Sequence, residues 1–194
     1  MDNKSQIMIK VLSFIVLASF SFLSFNSNSP DEAIKYGYIQ QYKDIAVAEM
    51  YRTNIPASII LAQGLLESQA GTSDLAVNAN NHFGIKCKSY WQGKTYFHKD
   101  DDLDNKGNLI HSCFRNYDSA LESYIDHSNF LAQSSNYSSL FTLSRKDFAA
   151  WAWGLKKCGY ATDNMYAVKL IKIIQKYELY KYDEEQNPWN AILK

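Results

Sequence analysis

The hydrophobic pattern of this chain leaves the helical period in only one stretch, and that interruption limits the folds open to it. From residue 33 to residue 52 apolar side chains recur at Ile34, Tyr38, Ile45 and Ala48, the spacing of a helix with one buried stripe. Asn54 and Pro56 mark a second start, with Pro tolerated in the first turn, where its missing N–H would be unpaired anyway. This second helix runs through Ile59, Ile60, Gln63 and Glu67 and should stop near Gly71. Between residues 78 and 115 the pattern turns β-like. Tyr90–His98 and Leu109–Arg115 are rich in aromatic and β-branched residues and flank Asp104-Asn105-Lys106-Gly107-Asn108, the composition of a hairpin and its turn. Helical spacing then resumes. Ser119 with Glu122 reads as a capping box opening a helix through Leu121, Tyr124, Ile125 and Leu131. Ser144 with Asp147 opens another, with Phe148, Trp151, Ala152 and Leu155 on one face. Thr162 is the expected cap of the last helix, whose stripe is Tyr166, Leu170, Ile173, Ile174 and Tyr177. The expected class is therefore mainly α (α+β): a helical domain with a small β-hairpin lobe inserted after the second helix.

With 194 residues the chain is long enough for one domain with a real core, and no internal repeat is visible. Lys4 and Lys10 precede the short apolar run Val11–Phe25, which is followed by Asn26-Ser27-Asn28-Ser29-Pro30. That order reads as an export signal over residues 1–25, or as an N-terminal anchor if Ile7 and Met8 extend the run and it is not cleaved. The folded domain is expected over residues 31–182, leaving 183–194 as a polar C-terminal tail without an assignment. Twenty Lys and Arg balance twenty Asp and Glu, which argues against a nucleic-acid binder, since such a protein needs a basic face for phosphates.

Two acidic features stand out. Ile60 and Glu67 are seven residues apart and share one helix face, with Gln63 between them, so a carboxylate is aimed along an apolar stripe. It also stands in the last helical turn, where the dipole is negative; burial and dipole both favour its protonated form. A glycosidase general acid needs that property. The alternative is a helix-end Glu that is merely solvated or paired. The second feature is Asp100-Asp101-Asp102 at the end of the first hairpin strand, either a solvated loop or a way to lower an acid over a cleft opposite Glu67. Among Cys87, Cys113 and Cys158, an oxidising compartment would allow Cys87 and Cys113 to bridge the segment between them; in a reducing one all three stay thiols. No C-x-x-C or H-E-x-x-H spacing exists, so no metal and no cofactor are expected.

Four stretches carry a family resemblance. Leu65-Leu66-Glu67-Ser68-Gln69-Ala70-Gly71 resembles the A-L-E-S-x-x-G run of the bacterial N-acetylglucosaminidases of glycoside hydrolase family 73, and Asn80-Asn81-His82-Phe83-Gly84-Ile85-Lys86 is similar to its N-N-x-F-G-I-K. Cys113-Phe114-Arg115-Asn116-Tyr117-Asp118-Ser119 is similar to its x-F-R-x-Y-x-S junction, and Gly159-Tyr160-Ala161-Thr162-Asp163 resembles its G-Y-A-T-D. All four occur in family order over about residues 33 to 180. The resemblance implies a lysozyme-like helical fold and hydrolysis of the β-1,4 bond after N-acetylglucosamine in peptidoglycan glycan strands. It makes Glu67 the general acid and Tyr160 an active-site tyrosine that orients water or the sugar's N-acetyl group. Asn81, Phe83 and Asp163 would line or support the cleft, with packing as the other role for Phe83; Trp91 would stack on a sugar or simply pack on the sheet. The family often has a Glu in the β lobe as second carboxylate. Here the nearest candidates are the three aspartates, Asp101 first as a catalytic group and Asp102 as a substrate contact. A muramidase or lytic transglycosylase, or a glycan-binding envelope protein without activity, are the competing readings. An exported enzyme of this kind would act in the periplasm, cell envelope or extracellular space.

Overall fold

The computed structural model describes residues 29–103 and 107–191, without the side chains of 100–103, 190 and 191. The proposed export signal lies outside the described residues. Among the described residues no helix is long and apolar enough to cross a membrane. The elements are α1 (Pro30–Thr53), α2 (Ala57–Glu67), α3 (Asp74–Ala79), β1 (Thr95–Leu103), β2 (Leu109–Arg115), α4 (Ala120–Gln133), α5 (Phe148–Lys157) and α6 (Tyr166–Lys176). Three 3-10 segments, Ser135–Thr142, Leu179–Glu184 and Pro188–Ala191, complete the elements among the described residues.

The body is built around α2. Nine of its residues in a row, Ala57 to Leu65, are buried, so the helix is enclosed on all sides rather than along one stripe. Enclosure explains its composition, Ala-Ser-Ile-Ile-Leu-Ala-Gln-Gly-Leu-Leu-Glu, in which polar residues are few and each has a specific task. Gly64 is required by close approach: a Cβ there would lie 2.7 Å from Tyr38 Oη and 2.9 Å from Tyr124 Oη. Those two hydroxyls form a buried chain in which Tyr124 donates to Tyr38 at 2.9 Å and Tyr38 Oη is hydrogen-bonded to His82 Nδ1 at 3.0 Å. Burial holds the His82 imidazole neutral by pushing its pKa down to about 4.

The N-terminus of α2 is closed from a distance. Pro56 stands just before the helix rather than inside its first turn, and its carbonyl accepts from Ile59 and Ile60 N–H. Ser58 N–H and Oγ–H donate at 2.8 and 2.7 Å to the two carboxylate oxygens of Asp183. Asp183 belongs to the 3-10 segment after α6 and is 2% exposed, so the stretch left without an assignment as a polar tail begins inside the core. Desolvation pushes its carboxyl up to about 6, against the opposing pull of the Ser58 hydrogen bonds.

Elsewhere the sequence pattern and the structure differ by small displacements with clear causes. The buried stripe of α1 is Tyr38, Ile39, Ala46, Val47 and Met50; Ile34 is 47% exposed, and Ile45 and Ala48 only flank the core. Ser119 Oγ accepts from Glu122 N–H at 3.4 Å and opens α4, while the Glu122 carboxylate reaches back to Asp118 N–H at 3.0 Å. At α5 the capping side chain is Asp147, accepting from Ala150 N–H at 2.9 Å, not Ser144, whose carbonyl instead accepts from Trp151 Nε1 at 3.2 Å. Helix α6 begins after Met165, not at Thr162; the nearby side chain in use is Asp163, accepting from Met165 N–H at 2.8 Å. A carboxylate two residues before a free N–H satisfies it better than a hydroxyl further upstream.

The hairpin is antiparallel, in register from Thr95 opposite Arg115 to Lys99 opposite His111. It then slips, so that Leu103 faces Leu109, and the irregularity falls on residues 100–102. The first strand starts at Thr95, five residues later than Tyr90, because Trp91 and its neighbours form a turn closed by Trp91 Nε1 donating to Lys94 O at 2.9 Å. On the other edge of β2, Lys86 bridges Phe114 and Cys87 N–H donates to Cys113 O at 2.8 Å. Cys87 and Cys113 form a disulfide with Cα atoms 5.3 Å apart, and Cys158 is a free thiol.

Candidate active site

A groove of about 820 Å³ lies between the helical body and the hairpin lobe. Glu67, the last residue of α2, lines it. The chain leaves α2 through Gln69, Ala70 and Gly71, all at positive φ (51°, 55° and 81°), and Ser68 closes the helix end by donating to Gly64 O and accepting from Gly71 N–H. Only Gly71 adopts that backbone without cost. A Cβ at this glycine would stand 3.1 Å from the Tyr38 ring, so the tight reversal that ends the helix at Glu67 is pressed against the tyrosine core.

The Glu67 carboxylate accepts a hydrogen bond from Tyr166 Oη at 3.0 Å, and Tyr166 in turn accepts from Gln63 Nε2 at 3.0 Å. Gln63 and Glu67 share one face of α2, as the sequence spacing required, and Tyr166 arrives from the first turn of α6. Partial burial raises the Glu67 pKa; the Tyr166 hydrogen bond and the positive charge of Lys169 pull it down but do not reverse the shift. The ring of Tyr160 stacks on Tyr166, centroids 5.5 Å apart at 27°, and also lines the groove. Burial, with the negative charge of Glu67 beside it, holds the Tyr160 hydroxyl protonated far above its ordinary range. Tyr137 flanks Tyr160 with centroids 6.2 Å apart and lines the groove as well.

The remaining sequence-predicted residues separate into groove and scaffold. Phe83 lines the groove with a small exposed part, while its ring stacks on His127 at 3.9 Å and 12°. His127 is fully buried, neither ring nitrogen has a hydrogen-bond partner among the described residues, and burial lowers its pKa to about 3. Asn81 is 1% exposed and acts as a brace: its side chain donates to Ile85 O and Arg115 O, both at 2.9 Å, and accepts from Ile85 N–H at 3.0 Å. Trp91 lies under the Arg115 guanidinium, 4.5 Å from its centroid, and does not line the groove; its neighbour Tyr90 does, and is 67% exposed. Asp163 is occupied by Met165 N–H and by Lys169 at 2.7 Å. The backbone of Asp101 and Asp102 lies in the irregular part of β1, but their side chains lie outside the described residues.

Pattern reading did not find two further features. Tyr166 was legible only as a core stripe, although its polar tip in a buried turn was the available signal. Asp74, the first residue of α3, joins body to lobe: it accepts from Tyr96 Oη at 2.9 Å and from Asn78 Nδ2 at 2.8 Å, and lies 2.9 Å from His98 Nδ1. Among the described residues no group of three or more His, Cys, Asp or Glu is placed to hold a metal ion.

The family described as mannosyl-glycoprotein endo-beta-N-acetylglucosaminidase matches residues 43–179. The exo-glucosaminidase LytG of Bacillus subtilis is 35% identical over 131 residues, 66% of this chain and 46% of that protein. The peptidoglycan hydrolase FlgJ of Vibrio parahaemolyticus is 29% identical over 145 residues, covering 73% of this chain and 47% of its own length. The chain thus spans less than half of these curated relatives. The catalytic domain of the autolysin Auto from Listeria monocytogenes superposes with a TM-score of 0.65 at 27% identity, covering 90% of this chain and 97% of that one. The glycoside hydrolase domain of Salmonella typhimurium FlgJ gives 0.60 at 26% identity, covering 82% and 97%. Matched over more than half its length and carrying the family's motif order around one groove, the chain belongs to the glucosaminidase family, glycoside hydrolase family 73.

Proposed function

We propose that this protein is an exported peptidoglycan hydrolase that cleaves the β-1,4 bond after N-acetylglucosamine, with Glu67 as general acid. The observation that carries this reading is the chain Gln63–Tyr166–Glu67 opening into the groove, which aims a carboxylate with a raised pKa at the space a glycan strand would occupy. A proton retained there is delivered to the glycosidic oxygen as the bond breaks and positive charge develops at the anomeric carbon. The names of its relatives, an exo-glucosaminidase and peptidoglycan hydrolases, support the same bond class.

Tyr160 remains protonated, so its hydroxyl is a donor for the N-acetyl carbonyl or for water. Two routes complete the reaction. Either the acetamido oxygen of the sugar attacks the anomeric carbon with Tyr160 orienting it, and water then opens the resulting oxazoline ring, or a carboxylate on the lobe, Asp101 first, activates water for inversion. In the helical body Asp74 also lines the groove, but its oxygens are taken by Tyr96, Asn78 and His98. That observation favours the acetamido route over a base drawn from α3.

Digestion of purified sacculi, borohydride reduction and mass spectrometry of the new ends test the proposal. N-acetylglucosaminitol ends with the parent protein, and none with Glu67→Gln, are expected. Muramitol or anhydromuramyl ends would instead establish a muramidase or transglycosylase, equal products from both proteins would overturn Glu67 as the acid, and no new ends with either protein would leave only a binding role.

A further inference from the structure

The charges on the two sides of the groove are not balanced in the same way. On the body side Asp74 is held by three donors, and Glu67 is the acid of the proposed reaction. On the lobe side Arg115 is 6% exposed and committed to Asp126 at 2.7 and 2.9 Å. Lys88 and Lys99 line the same groove, are exposed, and have no ion-pair partner among the described residues. The chain as a whole is formally neutral, whereas among the described side chains that line the groove the lobe contributes more positive than negative charge.

The lysines are also placed by the fold. Residues 86, 88 and 90 alternate onto the groove, while Cys87 between them is tied back to Cys113 of β2. Lys86 lies 5.9 Å from the centre of the Phe114 ring, part of the same wall. Lys99 enters from β1, on the opposite edge of β2, where it pairs with His111 just before the ladder becomes irregular. Two cations therefore stand on either side of β2, roughly 10 Å apart if two strand spacings separate them. A neutral polysaccharide gives such a pair nothing to bind. A glycan whose alternate sugars carry short acidic peptides does, because carboxylates hanging from the strand would pass along this wall when a glycosidic bond sits at Glu67.

We infer that Lys88 and Lys99 form a carboxylate-reading wall that selects glycan strands bearing free acidic peptide stems over uncharged or amidated ones. The inference rests on the peptidoglycan reading above and adds a specificity element to it. The electrostatic contact is solvent-exposed, so it should act on KM rather than kcat and fade at high salt.

The test compares three glycan preparations of matched length: strands with free stem carboxylates, strands with those carboxylates amidated, and strands stripped of stems, which keep only the lactyl carboxylate. For the parent protein kcat/KM on free-acid strands should exceed that on amidated strands by about tenfold, the effect of two exposed charge contacts. In Lys88→Gln/Lys99→Gln that ratio should fall to near one through KM, and at 1 M salt the parent's ratio should fall likewise. Preference for stripped over amidated strands would assign the wall to the lactyl group and overturn the stem inference. An equal ratio in parent and double variant would overturn it as well. Binding of the same strands to Glu67→Gln is measured in parallel. If no hydrolysis occurs with any protein, the hydrolase reading fails, but the free-acid to amidated affinity ratio still decides the role of the wall.

Discussion

Asp183 offers the sharpest test of how the body is held. Replacing it with Ala removes the acceptor for both the N–H and the hydroxyl of Ser58, a residue with no exposure at the buried start of α2. Leaving two such donors unpaired costs about 2 to 4 kcal/mol. For a domain of this size that lowers Tm by about 6 to 12 °C. Asp183→Asn probes the charge alone, because an amide keeps the shape and an acceptor. The Asp183 carboxyl moves from 3.8 to about 6 on folding. The fold thus favours the protonated form: its stabilisation is complete below pH 4 and is lost as pH rises through about 6. At about 1.4 kcal/mol per pH unit the loss amounts to about 3 kcal/mol. Guanidinium unfolding of the oxidised protein at intervals from pH 3.5 to 7.5 should show Asp183→Asn gaining about that much relative to the parent across the interval. Parallel pH profiles for the two proteins would refute a buried, strained carboxylate at this position, and an Ala variant within 0.5 kcal/mol of the parent (roughly the scatter of surface substitutions) would refute its capping role.

Other expectations concern the acid, the core and the lobe. Tyr166→Phe removes a hydrogen bond that favours ionised Glu67, so the fall in activity on the alkaline side of the pH–rate profile should move to higher pH, and an unmoved limb would detach Tyr166 from the acid. Gly64→Ala gains about 1 kcal/mol of helix propensity but must displace two buried tyrosine hydroxyls, and a net loss of about 1 to 3 kcal/mol is expected in thermal melts. A melt equal to the parent's would show that the tyrosines move without cost. Replacing Cys87 and Cys113 with Ser opens a loop with a sequence separation of 26 and should cost about 3 to 4 kcal/mol by denaturant titration; a change under 1 kcal/mol would mean that the lobe is held mainly by other contacts.

The sequence carried much of this arrangement where one residue type has one use. Glu67 could be aimed from Ile60 and Gln63 because seven residues return to the same helix face, and the capping pair Ser119–Glu122 could be read directly. It carried less where several neighbours could serve. Ser144 and Asp147, or Thr162 and Asp163, compete for the same turn, and geometry rather than type selects the aspartate. Helix α3 spans six residues, too short for a period to register, yet it supplies Asp74. Trp91 and Tyr90 are equally suited to a sugar by composition, and the turn before β1 decides which ring meets the groove. Asp183 was out of reach for a different reason: its partner is 125 residues away in sequence.

The disulfide has a consequence for how firmly the two banks of the cleft face each other. A two-stranded sheet is marginal by itself in water. The helical body buries its own core and brings Glu67, Tyr160 and Tyr166 together without any help from Cys87 or Cys113. With both thiols intact the opposite bank of the cleft is still braced by Asn81, by the Arg115–Asp126 pair and by Asp74. The Cys87–Cys113 bond adds a covalent limit to the movement of that bank, so the acid faces a more sharply defined surface in the oxidised protein.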